Sequence, residues 1–262
     1  LLTTLELPLG KLLARLEATG ILIDVPVLHR LGEEAERELA RLEAEVAQLT
    51  GLPVGAVNLG SPKQLAELLF DKLGLPPGKK TKTGYSTDAE VLEELSPLHP
   101  AIDKILDHRA IIKLKGTYLD ALPQLIDTRT GRLHTTYEQA VAATGRLSST
   151  EPNLQNVPVR TALGLKIRAA FVAPPGRRLV TADYSQIELR VLAHLSGDPV
   201  LTDAFQRGQD VHERTVAEMF GEAKRHDPAM RRVAKMINYG IVYGLSDFGL
   251  AQRLSISRTD AK

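Results

Sequence analysis

The sequence predicts an α+β fold, on three observations. In the first half, leucines recur in alternating steps of three and four, as paired helices require. From Arg129 onward, β-prone residues alternate with polar ones around two TGR tripeptides, the pattern of antiparallel strands joined by glycine turns. Near Thr181 an uncharged run ends on Asp183 and passes at once into a helical pattern. At 262 residues the chain has room for a core and for more than one domain.

Composition narrows the function classes. A hydrophobic share of 43% with 25% charged residues is that of an ordinary soluble protein and does not suggest disorder. No apolar run is long enough for a bilayer, and no basic segment leads into an apolar one at the start, so no membrane partner is expected. With 0 cysteines, disulfide frameworks, zinc ribbons and cysteine nucleophiles are excluded, which fits a cytoplasmic protein. The net charge of +1 conceals blocks: acids at Glu33 to Glu45 and Asp88 to Glu94, bases at Lys72 to Lys82, Lys104 to Lys115, Arg160 to Arg178 and Lys224 to Lys235. Such blocks allow a basic face on a neutral protein.

The opening helix runs from Leu7 to Ala18, with Leu9, Leu12, Leu13 and Leu16 on one face, and ends at Gly20. ILIDV then makes a short extended piece before Pro26. The longest periodic run follows: Leu28, Leu31, Ala35, Leu39, Leu42, Val46 and Leu49. A stripe this narrow wants one partner helix. Ala101 to Leu122 supplies it, through Ile102, Ile105, Ile112 and Leu119. Between the two lies a tip: a turn cluster at Gly51 to Ser61, a short helix from Ser61-Pro62 (Leu65, Leu68, Leu69, Leu73), and a loop from Leu75 to Ser86. That loop carries Lys79, Lys80 and Lys82 beside Tyr85, a composition suited to holding a phosphate backbone without reading sequence. A solvated surface loop has the same composition. Nothing in this half is catalytic.

In the second half, Arg132, His134 and Arg146 are expected to project from the strands. EPNLQNVPVRT is a proline-punctuated loop whose Asn153, Gln155, Asn156 and Arg160 suit contacts with sugar, base edge and phosphate; Asx-type turns that hold the loop together use the same amides. Leu179 to Ala182 reads as a short strand ending on Asp183, followed by a helix through Ile187, Val191, Leu192 and Leu195 that stops at Gly197 and Pro199. A rigid carboxylate at the mouth of a sheet suits magnesium, which takes one or two protein carboxylates and completes its shell with water and phosphates. A helix-capping acid fits the same local pattern. Beyond Leu201 to Arg207, the segment DVHERTVAEMFG places His212 at a helix start, where a histidine is ordinarily structural or solvated.

Met230 to Gly244 is the decisive stretch. Arg231, Lys235, Tyr239 and Tyr243 fall at successive i+4 positions and form one row on a helix. The two cations repel by a few tenths of a kcal/mol, and no acid in the row relieves them. The row runs from two cations to two aromatic faces, the layout of a nucleoside triphosphate from phosphates to base. An amphipathic helix with snorkelling cations and core tyrosines is the bland alternative.

DYSQIELR (Asp183 to Arg190) and RRVAKMINYGIVYG (Arg231 to Gly244) resemble the two best-known motifs of family A DNA polymerases, the bacterial DNA polymerase I group. ATGRLSSTEPNLQNVPVR (Ala143 to Arg160), GRLHT, DVHERT and LEATGILID match the same family in the same order, in a Thermus-like form, over nearly the whole chain. Tyr85, the residues near Gly55, and Gly60 in place of a tip asparagine depart from the family pattern.

The resemblance implies a right-hand polymerase architecture, with an antiparallel palm sheet, a helical thumb and helical fingers. Residues 1–24 would be a palm-edge helix and strand, 25–123 a thumb with a basic tip, 124–198 the palm with the catalytic Asp strand, and 199–262 the N-terminal part of the fingers. The implied reaction is attack of a primer 3′-hydroxyl on the α-phosphate of a deoxynucleoside triphosphate, with two magnesium ions stabilising the attacking and leaving oxygens. By this resemblance Asp183 and the Tyr184 carbonyl are the metal ligands. Arg231, Lys235 and His212 hold the triphosphate, with Gln186 beside the nucleotide, and Lys235 protonates the leaving pyrophosphate. Tyr239 stacks at sugar and base, and Glu188 excludes a ribose 2′-hydroxyl. Tyr243 covers the templating position, Arg146, Asn153, Gln155, Asn156 and Arg160 follow primer and template, and Lys79, Lys80, Lys82, Lys113 and Lys115 hold the duplex. Many thermophilic relatives carry phenylalanine where this chain has Tyr239, and the extra hydroxyl implies weaker discrimination against dideoxynucleotides. A primer–template DNA duplex and dNTPs are the implied partners, of a monomeric enzyme in the bacterial cytoplasm at the nucleoid.

The family carries a second metal carboxylate on a later palm hairpin with a His-Asp-Glu sequence, which does not occur here. The chain is therefore expected to be an internal piece of a longer enzyme, with no room in these residues for an exonuclease domain. Rival readings are a non-catalytic primer–template-binding fragment, a helical interaction module, which leaves the second half unexplained, and a single-subunit RNA polymerase, disfavoured by Glu188.

Overall fold

The computed structural model describes residues 1–81, 84–159, 161–254 and 256–262. The chain forms two compact units, Leu1–Leu179 and Val180–Lys262.

In the first unit, α1 (Leu7–Thr19) ends where Gly20 takes a φ of 59°. A Cβ at Gly20 would stand 2.5 Å from the Leu133 carbonyl oxygen, so both the turn and the close approach require glycine. The extended piece that follows is β1 (Leu22–Ile23), paired antiparallel with Phe171–Val172. Asp24 caps α2 (Val25–Thr50), accepting the Val27 amide at 3.1 Å, and Gly51 closes it in the left-handed conformation. Five residues of the predicted stripe are buried, Leu28, Leu31, Ala35, Leu42 and Val46, whereas Leu39 is half-buried and Leu49, in the last turn, is exposed. Next come α3 (Pro62–Ala66), the short hairpin β2 (Lys80–Thr81) and β3 (Gly84–Tyr85), α4 (Ala89–Leu95) and α5 (Ala101–Leu114).

Helix α5 packs along α2, as the periodicity requires. Ile102 and Ile105 are fully buried, but Ile112 is exposed; the buried face runs instead through His108, with Ile111 and Leu114 half-buried. Two cores result. One joins Val46 to Leu65, Leu68, Leu69, Leu92 and Ile105; the other joins Leu28 and Leu31 to Tyr118, Leu122, Leu133 and Ile167. Part of the tip loop is ordered as a hairpin rather than loop, with Lys80 opposite Tyr85, its Nζ 6.0 Å from the ring centroid, and Tyr85 edge-on to Phe70.

The remaining elements of this unit are α6 (Ala121–Gln124), β4 (Ile126–Asp127), β5 (Arg132–Leu133), β6 (Thr136–Glu138), β7 (Ser148–Thr150), α7 (Ala162–Ala169) and β8 (Phe171–Val172). Among the described residues the strands form antiparallel pairs only: β1–β8, β2–β3, β4–β5 and β6–β7. Gly131 and Gly145 take positive φ in the two TGR turns, as expected. Arg132 and His134 do not project, which corrects the expectation. Arg132 donates to the Thr19 and Gly20 carbonyls, and His134 Nδ1 lies 2.6 Å from the Glu17 carbonyl. Both serve the C-terminal end of α1, where helix carbonyls lack partners.

The strand expected at Leu179 to Ala182 is absent. Residues 173–186 are irregular, and Val180 is 89% exposed. A β-prone run becomes a strand only against a neighbour that takes its hydrogen bonds, and none of the described residues pairs with it. The catalytic Asp strand of the sequence reading is therefore a loop here.

The second unit is helical: α8 (Ile187–Ser196), α9 (Pro199–Gln206), α10 (Val211–Phe220), α11 (Pro228–Val242), α12 (Asp247–Leu254) and α13 (Arg258–Ala261). Aspartates 198, 210 and 227 cap α9, α10 and α11. The core is Leu189, Ala204 and Val211, with Leu201, Phe205, Tyr239 and Val242 packed on it. The apolar face of α8 differs from the one expected. Ile187, Val191 and Leu195 are exposed, while Leu189 and Ala193 are buried, because α9 and α11 pack on that side. No helix among the described residues is long and apolar enough to cross a membrane.

Candidate functional site

Asp183, Tyr184, Gln186, Glu188, His212, Arg231, Lys235, Tyr239 and Tyr243 all fall in the second unit. Helices α10 and α11 pack against each other, which brings His212 beside the α11 row.

The row itself holds no acid, as read from the sequence, but a neighbouring helix supplies one. Asp210, the cap of α10, presents Oδ2 to Arg231 at 3.0 Å from Nε and 2.6 Å from Nη2, while its Oδ1 accepts the amides of His212 and Glu213. Burial alone would raise this carboxyl, but Arg231 and the two amides outweigh it and hold Asp210 below the usual carboxylate range. One carboxylate thus starts a helix and fixes a guanidinium. The capping-box spacing Asp210–Glu213 was the signal that could have revealed it. Lys235, one turn on, is exposed.

His212 is 1% exposed. Its Nδ1 lies 3.1 Å from Asn238 Nδ2, and its ring centroid is 5.8 Å from that of Tyr239. Burial pushes the imidazole pKa down; Asp210 opposes this, and Arg231 and Lys235 add to it, so the ring is neutral at neutral pH. For Tyr239, burial pushes the phenol up, and the charges of Glu188, Tyr243 and Asp183 push it further, so its hydroxyl stays protonated. Tyr243 donates its hydroxyl to Glu188 Oε2 at 2.7 Å and is itself 64% exposed, beside a half-buried carboxylate.

Gln186 enters α8 with φ 51° and ψ 36°, a left-handed conformation that costs a non-glycine residue about 1 kcal/mol. Arg190 steadies this turn: its Nε donates to the Ser185 carbonyl at 2.9 Å and its guanidinium sits 4.5 Å from the Phe205 ring centroid. Asp183 and Tyr184 are exposed on the segment before it. The described residues contain no cluster of three or more metal-ligating side chains. A lone exposed carboxylate with an adjacent carbonyl still fits one magnesium ion, whose shell is mostly water and phosphate. Arg190, Asp210, Thr215 and Asn238 escaped the sequence reading; the last two carry no local signal, being polar residues inside ordinary amphipathic helices.

In the first unit, the amides of the 151–161 loop hold the loop itself. Asn153 Oδ1 accepts the Gln155 amide at 3.0 Å, and Gln155 Nε2 donates to the Leu147 carbonyl at 3.0 Å. Asn156 accepts the Tyr118 hydroxyl through its carbonyl and keeps its side chain exposed, as is Arg146. Lys115 is bound to Glu36 and Asp120 and only 18% exposed, its pKa raised by the Asp120 hydrogen bond foremost, whereas Lys79, Lys80 and Lys113 are exposed. Lys82 and Arg160 lie outside the described residues.

Residues 25–262 match the family model described as DNA polymerase family A. The thermostable DNA polymerase I of Thermus aquaticus is 55% identical over 98% of this chain and 31% of its own length. DNA polymerase I of Lactococcus lactis subsp. lactis is 52% identical over 100% of this chain and 30% of its own length. The chain thus spans about a third of the curated relatives it matches. Among solved structures, the POL domain of Pol1 from M. smegmatis, in complex with DNA primer-template and dNTP, is similar at a TM-score of 0.87 and 44% identity, over 98% of this chain and 45% of that one.

Proposed function

Because the chain belongs to DNA polymerase family A, we propose that it supplies the nucleotide-binding face and one metal carboxylate of an enzyme that extends a DNA primer on a template. The observation that carries this is the α11 row, with Arg231 pre-oriented by Asp210 at the phosphate end and Tyr239 and Tyr243 at the base end.

Arg231 commits two N–H groups to Asp210, and its planar fork retains others for a triphosphate oxygen. Lys235 and the neutral His212 add a charge and a donor beside it. Tyr239 packs at sugar and base, with Gln186 near the nucleotide. Glu188, held by Tyr243, occupies the space a 2′-hydroxyl would need, which selects dNTPs over rNTPs. In the reaction the primer 3′-hydroxyl gives up its proton to water, its oxygen forms a bond to the α-phosphorus, the bond from that phosphorus to the bridging oxygen breaks, and a Lys235 ammonium proton passes to the departing pyrophosphate. Magnesium held by Asp183 and the Tyr184 carbonyl would neutralise phosphate charge and activate the primer hydroxyl. A second ion, as the family resemblance implies, needs a carboxylate beyond Asp183.

Residues 25–123 are read as the thumb, with Lys79, Lys80, Lys82, Lys113 and Lys115 on the side of the duplex. Residues 1–24 and 124–198 are read as palm, with Arg146, Asn153, Gln155, Asn156 and Arg160 along primer and template, and 199–262 as fingers. Partners are a primer–template duplex and dNTPs, with the whole enzyme a monomer in the cytoplasm at the nucleoid.

The test is primer extension by this chain with magnesium and four dNTPs, beside Asp183→Ala. Extension abolished by the substitution supports the reading. Salt-dependent primer–template binding with no extension by either protein favours the second reading, a DNA-binding fragment, for which the lone carboxylate argues.

A further inference from the structure

The chemistry of a histidine donor depends on which ring nitrogen carries the proton. A neutral imidazole has one N–H and one bare nitrogen, and the hydrogen bond made by one decides the role of the other. Around His212 that choice is made by a chain of single-role groups.

Thr215 Oγ1 lies 2.9 Å from the Val211 carbonyl oxygen, which can only accept. The hydroxyl also lies 3.2 Å from Asn238 Oδ1, but it has one proton, and the shorter bond to the carbonyl uses it. Its lone pairs are left facing Asn238, whose Nδ2 is 3.0 Å away. The amide must therefore present NH2 to Thr215, and the second hydrogen of that group points along the 3.1 Å contact to His212 Nδ1. Nδ1 accepts, so Nε2 bears the proton.

We propose that Thr215 and Asn238 are positioning residues that hold His212 as the Nε2–H tautomer, so that it donates a hydrogen bond to the nucleotide triphosphate instead of accepting one. The donor role rests on the nucleotide reading above; the tautomer does not. Other charged or titratable groups around the ring are Asp210 at the start of α10, and Arg231, Lys235 and Tyr239 from α11. Their balance keeps the ring neutral, and the Thr215–Asn238 chain then selects between the two neutral forms. A bare Nε2 would face phosphate oxygens lone pair to lone pair, so a ring free to exchange tautomers would bind a triphosphate less well.

The test uses the full chain labelled with 15N-histidine, with the His212 signals identified by their loss in His212→Asn. Long-range 1H–15N spectra are expected to show protonated Nε2 and bare Nδ1 in the unsubstituted protein. Asn238→Asp replaces the amide donor with an acceptor and should move a proton onto Nδ1. Thr215→Val, which removes the hydroxyl, should give a mixture of tautomers and weaken the Kd for dATP by about 3- to 10-fold, the loss of one net hydrogen bond. Thr215→Ser keeps the hydroxyl and should restore both tautomer and Kd, which separates positioning from packing. Protonated Nδ1 in the unsubstituted chain, or Thr215→Ser behaving like Thr215→Val, would overturn the proposal. Failure of the unsubstituted chain to bind dATP with the Nε2–H form intact would overturn the nucleotide reading and leave the tautomer assignment standing.

Discussion

On the proposed function, Tyr239 is the residue at which one oxygen atom would carry a functional consequence. Its ring belongs to the core of the second unit, packed with Leu189, Ala204 and Val211, while its hydroxyl is kept protonated by burial and by the nearby charges of Glu188, Tyr243 and Asp183. A protonated phenol can stand in for the hydroxyl that a dideoxynucleotide lacks. Phenylalanine keeps the packing and removes only that donor. Tyr239→Phe is therefore expected to leave the fold intact and to restore discrimination against dideoxynucleotides by about 10-fold, the worth of one well-placed hydrogen bond. Equal dideoxy termination by the two proteins in a primer-extension ladder would show that the hydroxyl does not reach the sugar.

Helix α10 owes its start to Asp210, and that start is pH-sensitive. The Asp210 carboxyl is held below its unfolded value, so its contribution is present above roughly pH 4 and is lost as pH falls through the lower folded pKa. His212 has the same sign for a different reason. Buried neutral, it resists protonation, so its contribution is complete above about pH 6.5 and declines as pH falls below that. The second unit should lose stability in two acid steps when urea unfolding is followed from pH 7 to pH 3. Asp210→Asn keeps a capping oxygen but loses the charge that holds Arg231. It should cost about 1 kcal/mol at pH 7 and shrink the lower step, to which Asp203 and Asp247, also held low by arginines, still contribute. A variant whose acid limb superimposes on that of the unsubstituted chain would exclude this account.

At the scale of the whole molecule, the second unit has a core of its own beside the two cores of the first, and Gly20 sits at a junction of the first unit. Its position joins the end of α1 to Leu133 and, through β1, to Phe171 and Val172. A methyl group there meets a carbonyl oxygen in a backbone conformation that side chains rarely adopt, so no rotamer relieves the clash. Gly20→Ala should destabilise the first unit by about 2–3 kcal/mol or more. Native-state hydrogen exchange should show faster exchange in α2 and β5, with α10 and α11 unchanged. Uniform acceleration across both units would mean that the chain unfolds as one body.

What the sequence determined by itself is what depends on near neighbours. Most of the α2 stripe, the turn at Gly51, the glycine turns of the two TGR tripeptides, and the Arg231–Tyr243 row all follow from spacing within a turn or two, and the structure contains each of them. The order of its long motifs likewise identified the family. Tertiary structure decided whatever needs a partner distant in the chain. Asp210 neutralises Arg231 from 21 residues away, and Tyr243 holds Glu188 across 55. Arg132 and His134 turn inward because the end of α1 offers them carbonyls. The run from Leu179 to Ala182 has the residues of a strand, yet nothing among the described residues pairs with it. Local periodicity sets which face of an element is apolar or charged; only the packed chain sets what that face meets, because a hydrogen bond or ion pair forms with whatever group the fold brings within about 3 Å.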